Sequence, residues 1–332
     1  MFENIRLFQN ESIIKELLLK QQQNVLLSLS KVLEIPKGDL TFNFGAEIEF
    51  YIRNKFGCMD GFNAGNYTYK EIENDKRFSE LSMEHNEIQN IVSEVNNKAN
   101  KLGVESFEKE DGFNQFEVQF NCVHDALLIC EKICKFRNFM IDRCNVDFRA
   151  KPDLNDAGSS LHFHISIYYK DANLFAKEHA RNDDEYHYLP LYWSIAGMLK
   201  TMLSSMLLFA PTENCYKRYF YPKNQLHIHY PTGVCWGFNN RTCAIRIPRK
   251  PTEDPYNCRI EHRVPSSMCN PYFALYAILT GMRYGIEKQL ECEEPTFGNA
   301  FDIFHDYIIP LPKSLKEAKL LFNKGVFSKI FK

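Results

Sequence analysis

Three pairs of polar residues at positions i and i+2 have the spacing that points most directly to chemistry in this sequence. The pairs are Glu47 and Glu49, His162 and His164, and Glu261 and Arg263. Side chains at i and i+2 of a β-strand project from the same face, about 7 Å apart. Taken singly, two such glutamates most often form a solvated face, and a His-x-His pair is as often structural as metal-binding. The interpretation therefore depends on which other groups share that face.

Two further glutamates, Glu110 and Glu117, flank a turn predicted at Gly112 in the segment EDGFNQFEV. They are either ordinary surface residues or part of one carboxylate set. That set comprises Glu47, Glu49, Glu110, Glu117 and Glu261. If all five shared a cleft, their mutual repulsion would require bound cations. Carboxylate oxygens with one imidazole, that of His162, suit Mg²⁺ or Mn²⁺ better than structural zinc.

Five arginines form a second candidate set. They are Arg218, Arg241, Arg246, Arg259 and Arg263. Guanidinium groups bind phosphate or carboxylate through two hydrogen bonds, although a strand arginine such as Arg246 also occurs on exposed faces. Divalent metals and arginines without an obvious nucleophile favour phosphoryl transfer by positioning and charge neutralisation. The sequence has neither a GxxxxGK[ST] loop nor a kinase-type glycine loop, so any nucleotide site has another design.

The elements that must position these residues follow from hydrophobic periodicity. The patterns predict helices over residues 1–34, 82–102, 122–144, 189–209 and 270–289, strands over 41–52, 116–120, 160–169, 242–248 and 258–264, and a loop over 57–80. Strands and helices alternate irregularly, which favours an α+β fold in which helices back a sheet.

Composition excludes several classes of protein. The 332 residues carry a formal net charge of −2, so no basic field for nucleic acid is expected. No apolar run reaches the roughly 18–20 residues of a membrane span, and the N-terminus does not resemble a signal peptide. The 11 cysteines form no CxxC pair, which is typical of reduced thiols. We therefore expect a cytoplasmic protein that binds neither nucleic acid nor membrane.

Six segments, taken in order, resemble the catalytic domain of the glutamine synthetase family. They are GAEIEFYI, EDGFNQFEVQF, AKPDLNDAGSSLHFHIS, NCYKRYFYP, WGFNNRTCAIRIP and RIEHRVPSSMCNPYFAL, and they extend over roughly residues 42–290. The resemblance implies an α+β fold with a curved antiparallel sheet around a cleft and helices outside. It divides the chain into a helical extension over residues 1–40 and a catalytic domain over residues 41–332.

The resemblance also implies a role for each matching residue. One metal is expected on Glu49, Glu110 and Glu117, and a second on Glu47, His162 and Glu261. Substrate is expected on Gln115, Gly158, Arg218 and Arg263, and nucleotide on His164, Ser166, Arg246 and Arg259. Arg241, Arg246 and Arg259 resemble the phosphate-stabilising set, and His229 is the candidate for proton transfer.

The activity implied by the resemblance uses ATP as co-substrate and two or more Mg²⁺ or Mn²⁺ ions. ATP phosphorylates the γ-carboxylate of glutamate, and ammonia or a small amine then displaces phosphate from the acyl phosphate. The family forms ring assemblies, which makes a homo-oligomer one expected arrangement.

Because the sequence departs from the family pattern in three places, the identity of the amine substrate is not determined by the resemblance. The β-rich N-terminal domain of the family is expected to be replaced by a helix, so the aspartate it lends to the ammonium site would be missing. The flap YPKNQLHIHYP has no acid; His227 or His229 could act as a base or line a pocket for a larger amine. Asn114 and Ala157 stand where the family has Gly and Asn. Ammonia ligation is the leading hypothesis, beside ligation of an organic amine and a non-catalytic homologue.

Overall fold

The computed structural model describes residues 11–53, 76–112, 114–154, 156–176, 179–181, 185–219, 229–302, 305 and 307–329. Its α-helices are α1 (Glu11–Leu33), α2 (Lys76–Asn97), α3 (Ala99–Leu102), α4 (Ala126–Arg143), α5 (Leu189–Phe209), α6 (Glu213–Tyr216), α7 (Pro271–Lys288) and α8 (Leu315–Lys324). Among these helices, none combines the length and the apolar character that crossing a membrane requires.

The longest strands are β1, β3 and β5, with 14, 9 and 9 residues. They are β1 (Leu40–Arg53), β2 (Val104–Lys109), β3 (Gln115–Val123), β4 (Asn145–Asp147), β5 (Leu161–Tyr169), β6 (Ala172–Asn173), β7 (His179–Arg181), β8 (Glu185–His187), β9 (Trp236–Phe238), β10 (Ile245–Ile247) and β11 (Ile260–His262). The main sheet has the order β2-β3-β1-β5-β11-β10-β9, with β4 and β6 paired to β1 and β5, and β7 and β8 form a separate hairpin.

The 14 residues of β1 lie near the centre of the main sheet and pair antiparallel with β3 on one side and β5 on the other. An antiparallel sheet was predicted, and the pairs from β2 to β10 follow it. The prediction is wrong at the edge, because β9 pairs with β10 in parallel. Between those strands the chain makes a tight turn that contains Asn239, in the left-handed conformation with φ 46°, and Arg241.

The two faces of β1 differ in chemistry because side chains alternate along a strand. Phe42, Phe44, Ile48 and Phe50 are fully buried on one face. Helices α1 and α4 contact β1 on that face, helix α7 packs against both of these helices, and the apolar residues of all three belong to the same core. The opposite face carries the polar residues, including Glu47, and is open to a cavity. The α+β architecture with helices backing the sheet is therefore confirmed.

Several predicted boundaries need correction. The loop predicted over 57–80 lies outside the described residues as far as position 75, and residues 76–80 belong to helix α2. The helix predicted over 82–102 is two helices that meet at Lys98, and Gly103, with φ 72°, ends the second. Strands β10 and β11 are shorter than predicted. Strand β2 and helix α8 were not predicted, because neither has a long apolar run.

Helices α5 and α7 pack with their backbones in contact, which small residues make possible. A Cβ atom on Gly285 would lie 1.8 Å from the carbonyl oxygen of Trp193, and one on Gly197 would lie 2.1 Å from the carbonyl oxygen of Gly281. Real Cβ atoms do not approach backbone this closely, so larger residues would force the helices apart. This contact holds the helical layer behind the sheet.

We expect Gly285→Ala to destabilise the protein by about 3 kcal/mol or more. Overpacking a rigid core typically costs about 1–3 kcal/mol, and here the clash is with backbone. Thermal unfolding and urea titration of both proteins measure the loss. Gly38→Ala is the control, because a Cβ atom there meets nothing within 4 Å. Equal stability of the two variants would contradict the proposed contact.

Candidate active site

A cavity of about 790 Å³ lies on the open face of the sheet, bounded by β1, β3, β5, β10, β11 and the loops between them. Most predicted site residues line it: Glu47, Glu49, Glu110, Gln115, Glu117, Gly158, His162, Arg218, His229, Arg241, Arg246, Glu261 and Arg263. The tertiary structure therefore brings the carboxylates and four of the five arginines to one place, as the sequence predicted only conditionally.

The sheet register explains why the polar pairs converge. In the pairing of β1 with β3, Glu49 lies opposite Glu117, and in the pairing of β1 with β5, Glu47 lies opposite His162. Strand β11 then places Glu261 opposite His164. Directly opposed residues of neighbouring strands share a face, with Cβ atoms about 5 Å apart. Four strands thus contribute to one continuous polar surface.

His162 is held in the middle of this surface. Its Nδ1 lies 3.3 Å from Glu47 Oε2, and its Nε2 lies 2.7 Å from Ser160 Oγ. The backbone N–H of Ser160 donates to Glu49 Oε2 at 2.8 Å. Ser160 was not among the predicted site residues. Its spacing of two from His162 was the available signal, because it extends the same strand face.

Burial and mutual repulsion change the acidity of the carboxylates. Burial, together with the charges of Glu47 and Glu49, raises the pKa of Glu117 to about 9. Burial and the charges of Glu49 and Asp111 raise the pKa of Glu110 to about 7. Although burial alone would raise the pKa of Glu47, the imidazoles of His164 and His162 hold it well below its ordinary value. The metal-free surface therefore retains protons at neutral pH.

A divalent cation fits this surface. One ligand atom from each of Glu47, Glu117 and His162 lies within 4.8 Å of the others. Carboxylate oxygens with one imidazole are ligands that Mg²⁺ and Mn²⁺ accept. A cation would also replace the protons that repulsion retains on the carboxylates. Glu117 belongs to one of the two ligand sets that the family resemblance implied, and Glu47 and His162 belong to the other. The two sets therefore lie next to each other on one surface.

Glu261 differs from the other carboxylates because arginines bind both of its oxygens. Arg246 Nη1 donates to Oε2 at 2.8 Å, and Arg263 Nη1 contacts Oε1. Burial alone would raise the pKa of this carboxyl, but the charges of Arg263 and of two histidines lower it to about 2. His162 Nδ1 lies 3.8 Å from Oε1, so Glu261 connects the carboxylate surface to the arginines.

The arginines keep donors available for an anion. The Nε atoms of Arg218, Arg246 and Arg263 are buried and have no hydrogen-bond partner within the described part of the chain. Buried donors without acceptors are costly, which favours a bound anion at this end of the cavity. Asn239 Oδ1 fixes Arg246 by accepting from its Nη2 at 2.7 Å. Asn239 was missed because the turn that carries it has no periodic pattern.

Lys151 and residues 156–158 line the cavity beside Arg218. Gln115 Nε2 donates to the carbonyl of Gly158 at 2.9 Å, and the Tyr51 hydroxyl donates to the carbonyl of Ala157 at 2.8 Å. A Cβ atom on Gly158 would lie 2.7 Å from Cγ of Arg218, so only glycine allows this approach. The side chain of Arg218 is 3% exposed and donates to backbone carbonyls of residues 263–265.

A second cavity of about 380 Å³ adjoins the first and shares Glu47 with it. It contains the remaining predicted nucleotide residues, His164, Ser166 and Arg259. Arg259 Nε donates to His164 Nδ1 at 3.0 Å, so this imidazole nitrogen is an acceptor. The fifth arginine is therefore separated from the other four by the histidine strand.

The two candidate histidines of the flap have different outcomes. His227 lies outside the described residues. His229 is half exposed at the rim of the larger cavity, where its Nδ1 lies 3.4 Å from Asp111 Oδ2. Its backbone carbonyl accepts from Arg263 Nη2 at 2.8 Å. Asp111 and the buried Lys151 also line this cavity and were not predicted, because neither stands in an i, i+2 pair with another candidate.

Comparison with known proteins agrees with this geometry. Residues 28–331 match the family described as "Glutamine synthetase, catalytic domain". A solved structure described as a GmaS/ADP complex superimposes with a TM-score of 0.66 at 22% sequence identity, covering 93% of this chain and 72% of that chain. At this identity the superposition shows the fold alone.

Two characterised relatives are similar in sequence. Gamma-glutamylputrescine synthetase PuuA of Escherichia coli (strain K12) is 33% identical over 194 residues, which are 57% of this chain and 38% of the relative. Gamma-glutamylethanolamide synthetase GlnA4 of Streptomyces coelicolor is 31% identical over 236 residues, 69% of this chain and 46% of the relative. The chain spans less than half of the length of either relative. Because the family match extends over most of its residues, the chain belongs to the glutamine synthetase family through its catalytic domain.

Proposed function

We propose that this protein is an ATP-dependent ligase that joins the γ-carboxylate of glutamate to a small organic amine. The observation that carries the proposal is one cavity with two opposed chemistries. A surface of carboxylates with raised or strongly perturbed pKa values lies on one side, and buried arginines with unpartnered Nε atoms lie on the other. Such a cavity suits a phosphoryl group and a carboxylate held together beside divalent cations.

The residues proposed to hold the cations are the two predicted sets: Glu49, Glu110 and Glu117, and Glu47, His162 and Glu261. When bound, Mg²⁺ or Mn²⁺ would neutralise phosphate oxygens and polarise the γ-phosphorus towards attack. Gln119 and Ser160 would orient the ligands, because Gln119 Nε2 donates to Glu117 Oε1 at 3.1 Å and Ser160 bonds to His162.

The reaction proposed for the cavity has two steps. An oxygen of the γ-carboxylate attacks the γ-phosphorus of ATP, and ADP leaves with the electrons of the broken P–O bond. Arg241 and Arg246 would stabilise the charge on the transferred phosphoryl group, and Arg218 and Arg263 would hold the substrate carboxylates. ATP would occupy the second cavity, beside Arg259. The amine nitrogen then attacks the acyl carbon, and inorganic phosphate leaves.

The amine must lose a proton in the second step, and His229 is placed to accept it. It stands at the rim of the cavity, and its backbone is tied to Arg263. An imidazole has an ordinary pKa suited to proton transfer near neutral pH. The flap sequence YPKNQLHIHYP contains no acid that could hold an ammonium ion. This absence, and relatives whose names specify putrescine and ethanolamide, favour an organic amine.

Ammonia is the second candidate, because the matched family is named for glutamine synthesis. The two candidates are separated by phosphate release from ATP in the presence of glutamate, Mg²⁺ or Mn²⁺, and one amine at a time. The panel is ammonium, methylamine, ethanolamine and putrescine, with the amide product identified by mass spectrometry. We expect an organic amine to give the highest kcat/KM. Release with ammonium alone would assign glutamine synthesis, and no release with nucleotide still bound would indicate a non-catalytic homologue.

Arg246→Ala is expected to lower kcat by about 100-fold or more, the usual loss when a donor to the transition state is removed. Arg246 binds Glu261, and its buried Nε has no hydrogen-bond partner among the described residues. The matched control is Arg283→Ala, which breaks an arginine–glutamate pair of 2.7 Å on helix α7 outside this cavity. The measurement is kcat of the two variants under steady-state conditions. A wild-type kcat for Arg246→Ala would exclude the role proposed for Arg246.

Mn²⁺ or Mg²⁺ is expected to raise the melting temperature more at about pH 8.5 than at about pH 6.5. Without metal, the pKa of Glu117 is about 9 and that of Glu110 about 7, so both carboxyls are protonated at the lower pH. Cation binding must release these protons, and affinity therefore rises with pH. Thermal melts with and without metal at both pH values provide the measurement.

Glu117→Gln tests the same electrostatics in the metal-free protein. The folded pKa of Glu117 lies above the ordinary value of 4.5 for a glutamate, so ionisation of the unfolded chain lowers wild-type stability between about pH 4.5 and pH 9. The stability of the variant should not fall over this pH range, and its melting temperature should be about 2–4 °C higher than that of wild type at neutral pH. Mn²⁺ should raise the melting temperature of the variant less than that of wild type. Glu16→Gln, on an exposed part of α1, should match wild type. A metal response unchanged by Glu117→Gln would contradict the site.

A further inference from the structure

We infer that Lys151 is a specificity-determining residue, which acts with Arg218 to bind the carboxylate of the amino-acid substrate that does not react. The inference rests on the proposed function and extends it. It assigns to the site a requirement for a substrate with two carboxylates. Neither the sequence patterns nor the i, i+2 pairs identified Lys151.

The first observation is the burial of a lysine at the end of the cavity. Lys151 is 7% exposed, and it lines the same cavity as Arg218, which is 3% exposed. Lysine is rarely buried to this extent without a partner. Within the described residues, the one hydrogen-bond acceptor of its ammonium is the backbone carbonyl of Asp156. An ammonium has three donors, so two remain for a ligand.

The second observation is that two buried cations are close to one another. Burial lowers the pKa of Lys151, and the charge of Arg218 lowers it further, against the opposing charges of Asp156 and Asp153. Within the part of the chain that the structure describes, the side chain of Arg218 binds carbonyl oxygens and the hydroxyl and ring of Tyr219, and its Nε has no hydrogen-bond partner. An anion between these two cations would relieve both their repulsion and the unsatisfied donors.

The third observation is that the backbone positions Lys151 firmly. The amide of Asn214 bonds to both polar groups of the Lys151 backbone, accepting from its N–H at 3.0 Å and donating to its carbonyl at 2.8 Å. Asn214 lies on helix α6, directly before the turn that carries Arg218. One short segment therefore fixes both cations relative to each other, which is what recognition of a carboxylate requires.

Among the described residues, neither Lys151 nor Arg218 forms an ion pair with the glutamates proposed to hold the cations, beside which the reacting group must approach the nucleotide. A substrate that spans the two places needs one carboxylate for each. Glutamate meets this requirement, whereas 4-aminobutanoate retains the reacting carboxylate and lacks the other. Loss of the Lys151 charge should therefore weaken binding of glutamate and leave binding of 4-aminobutanoate unchanged.

Lys151→Gln is the decisive variant, because its amide still provides a donor for the carbonyl of Asp156 while the charge is removed. We expect the KM for glutamate to rise about 10-fold or more, as for loss of a charged hydrogen bond. The KM for ATP and the inhibition constant of 4-aminobutanoate should change less than about twofold. Lys151→Arg should restore most of the affinity for glutamate. Steady-state kinetics with each compound provide these constants.

Gly285→Ala, assayed below its melting temperature, is the control for a purely structural role, because it strains the helical layer and does not touch this cavity. It should affect glutamate and 4-aminobutanoate alike. If Lys151→Gln behaves in the same way, or leaves the KM for glutamate unchanged, the inference is overturned. If Lys151→Gln does not fold, the test is Lys151→Arg, which should still bind glutamate more tightly than 4-aminobutanoate. Loss of this preference in Lys151→Arg would overturn the inference. Failure of the wild-type protein to release phosphate with glutamate would instead count against the proposed function.

Discussion

The concentration of carboxylates on the open face of β1 is the constraint on which the rest of the site depends. Like charges on neighbouring strands repel strongly where solvent is partly excluded. The protein compensates them in three ways. Glu117 retains a proton, Glu47 lies against two imidazoles, and Glu261 binds two arginines. A bound cation could replace the proton and the imidazoles, and a bound anion could pair with the arginines. The repulsion between the carboxylates is therefore also the reason why the site favours charged ligands.

The helical layer behind the sheet stabilises the strand register that brings the carboxylates together. The other face of β1 is a fully buried apolar surface, helices α1 and α4 pack against it, and helix α7 packs against these two helices. A shift of one residue in the register of β1 would move the glutamates into that core and the phenylalanines into the cavity. The free energy gained by burying the aromatic face therefore fixes the register that brings the carboxylates together. The close contact of α5 and α7 holds this layer in place behind the sheet.

The two ends of the cavity are built differently. At the end proposed to bind the substrate carboxylates, Arg218, Arg263 and Lys151 are buried and hydrogen-bonded to or through the backbone. At the rim, His229 and Asp111 are exposed and touch each other at 3.4 Å. Buried groups with fixed partners tolerate little change, whereas exposed loop residues vary readily. We expect the activation of the carboxylate to be the fixed part of the chemistry and the choice of amine the variable part.

The sequence by itself determined the strand faces and the chemistry that each could supply. The period of two in AEIEFYI and SLHFHIS placed the glutamates and histidines on one face and the apolar residues on the other, because side-chain alternation is local. Apolar residues at helical spacing located α4, α5 and α7 to within about four residues. Family resemblance then named the metal, substrate and nucleotide residues, and the roles of those residues stay predictions.

Only the tertiary structure decided which faces meet. The order β3-β1-β5-β11 sets Glu117, Glu49, His162 and Glu261 around one surface, and strand order is a non-local property that periodicity does not contain. Residues without a periodic signal were likewise beyond the sequence: Asn239 stands in a tight turn, and Lys151 in a loop. Their importance comes from burial next to Arg246 and Arg218, and burial is decided by the packing of distant segments.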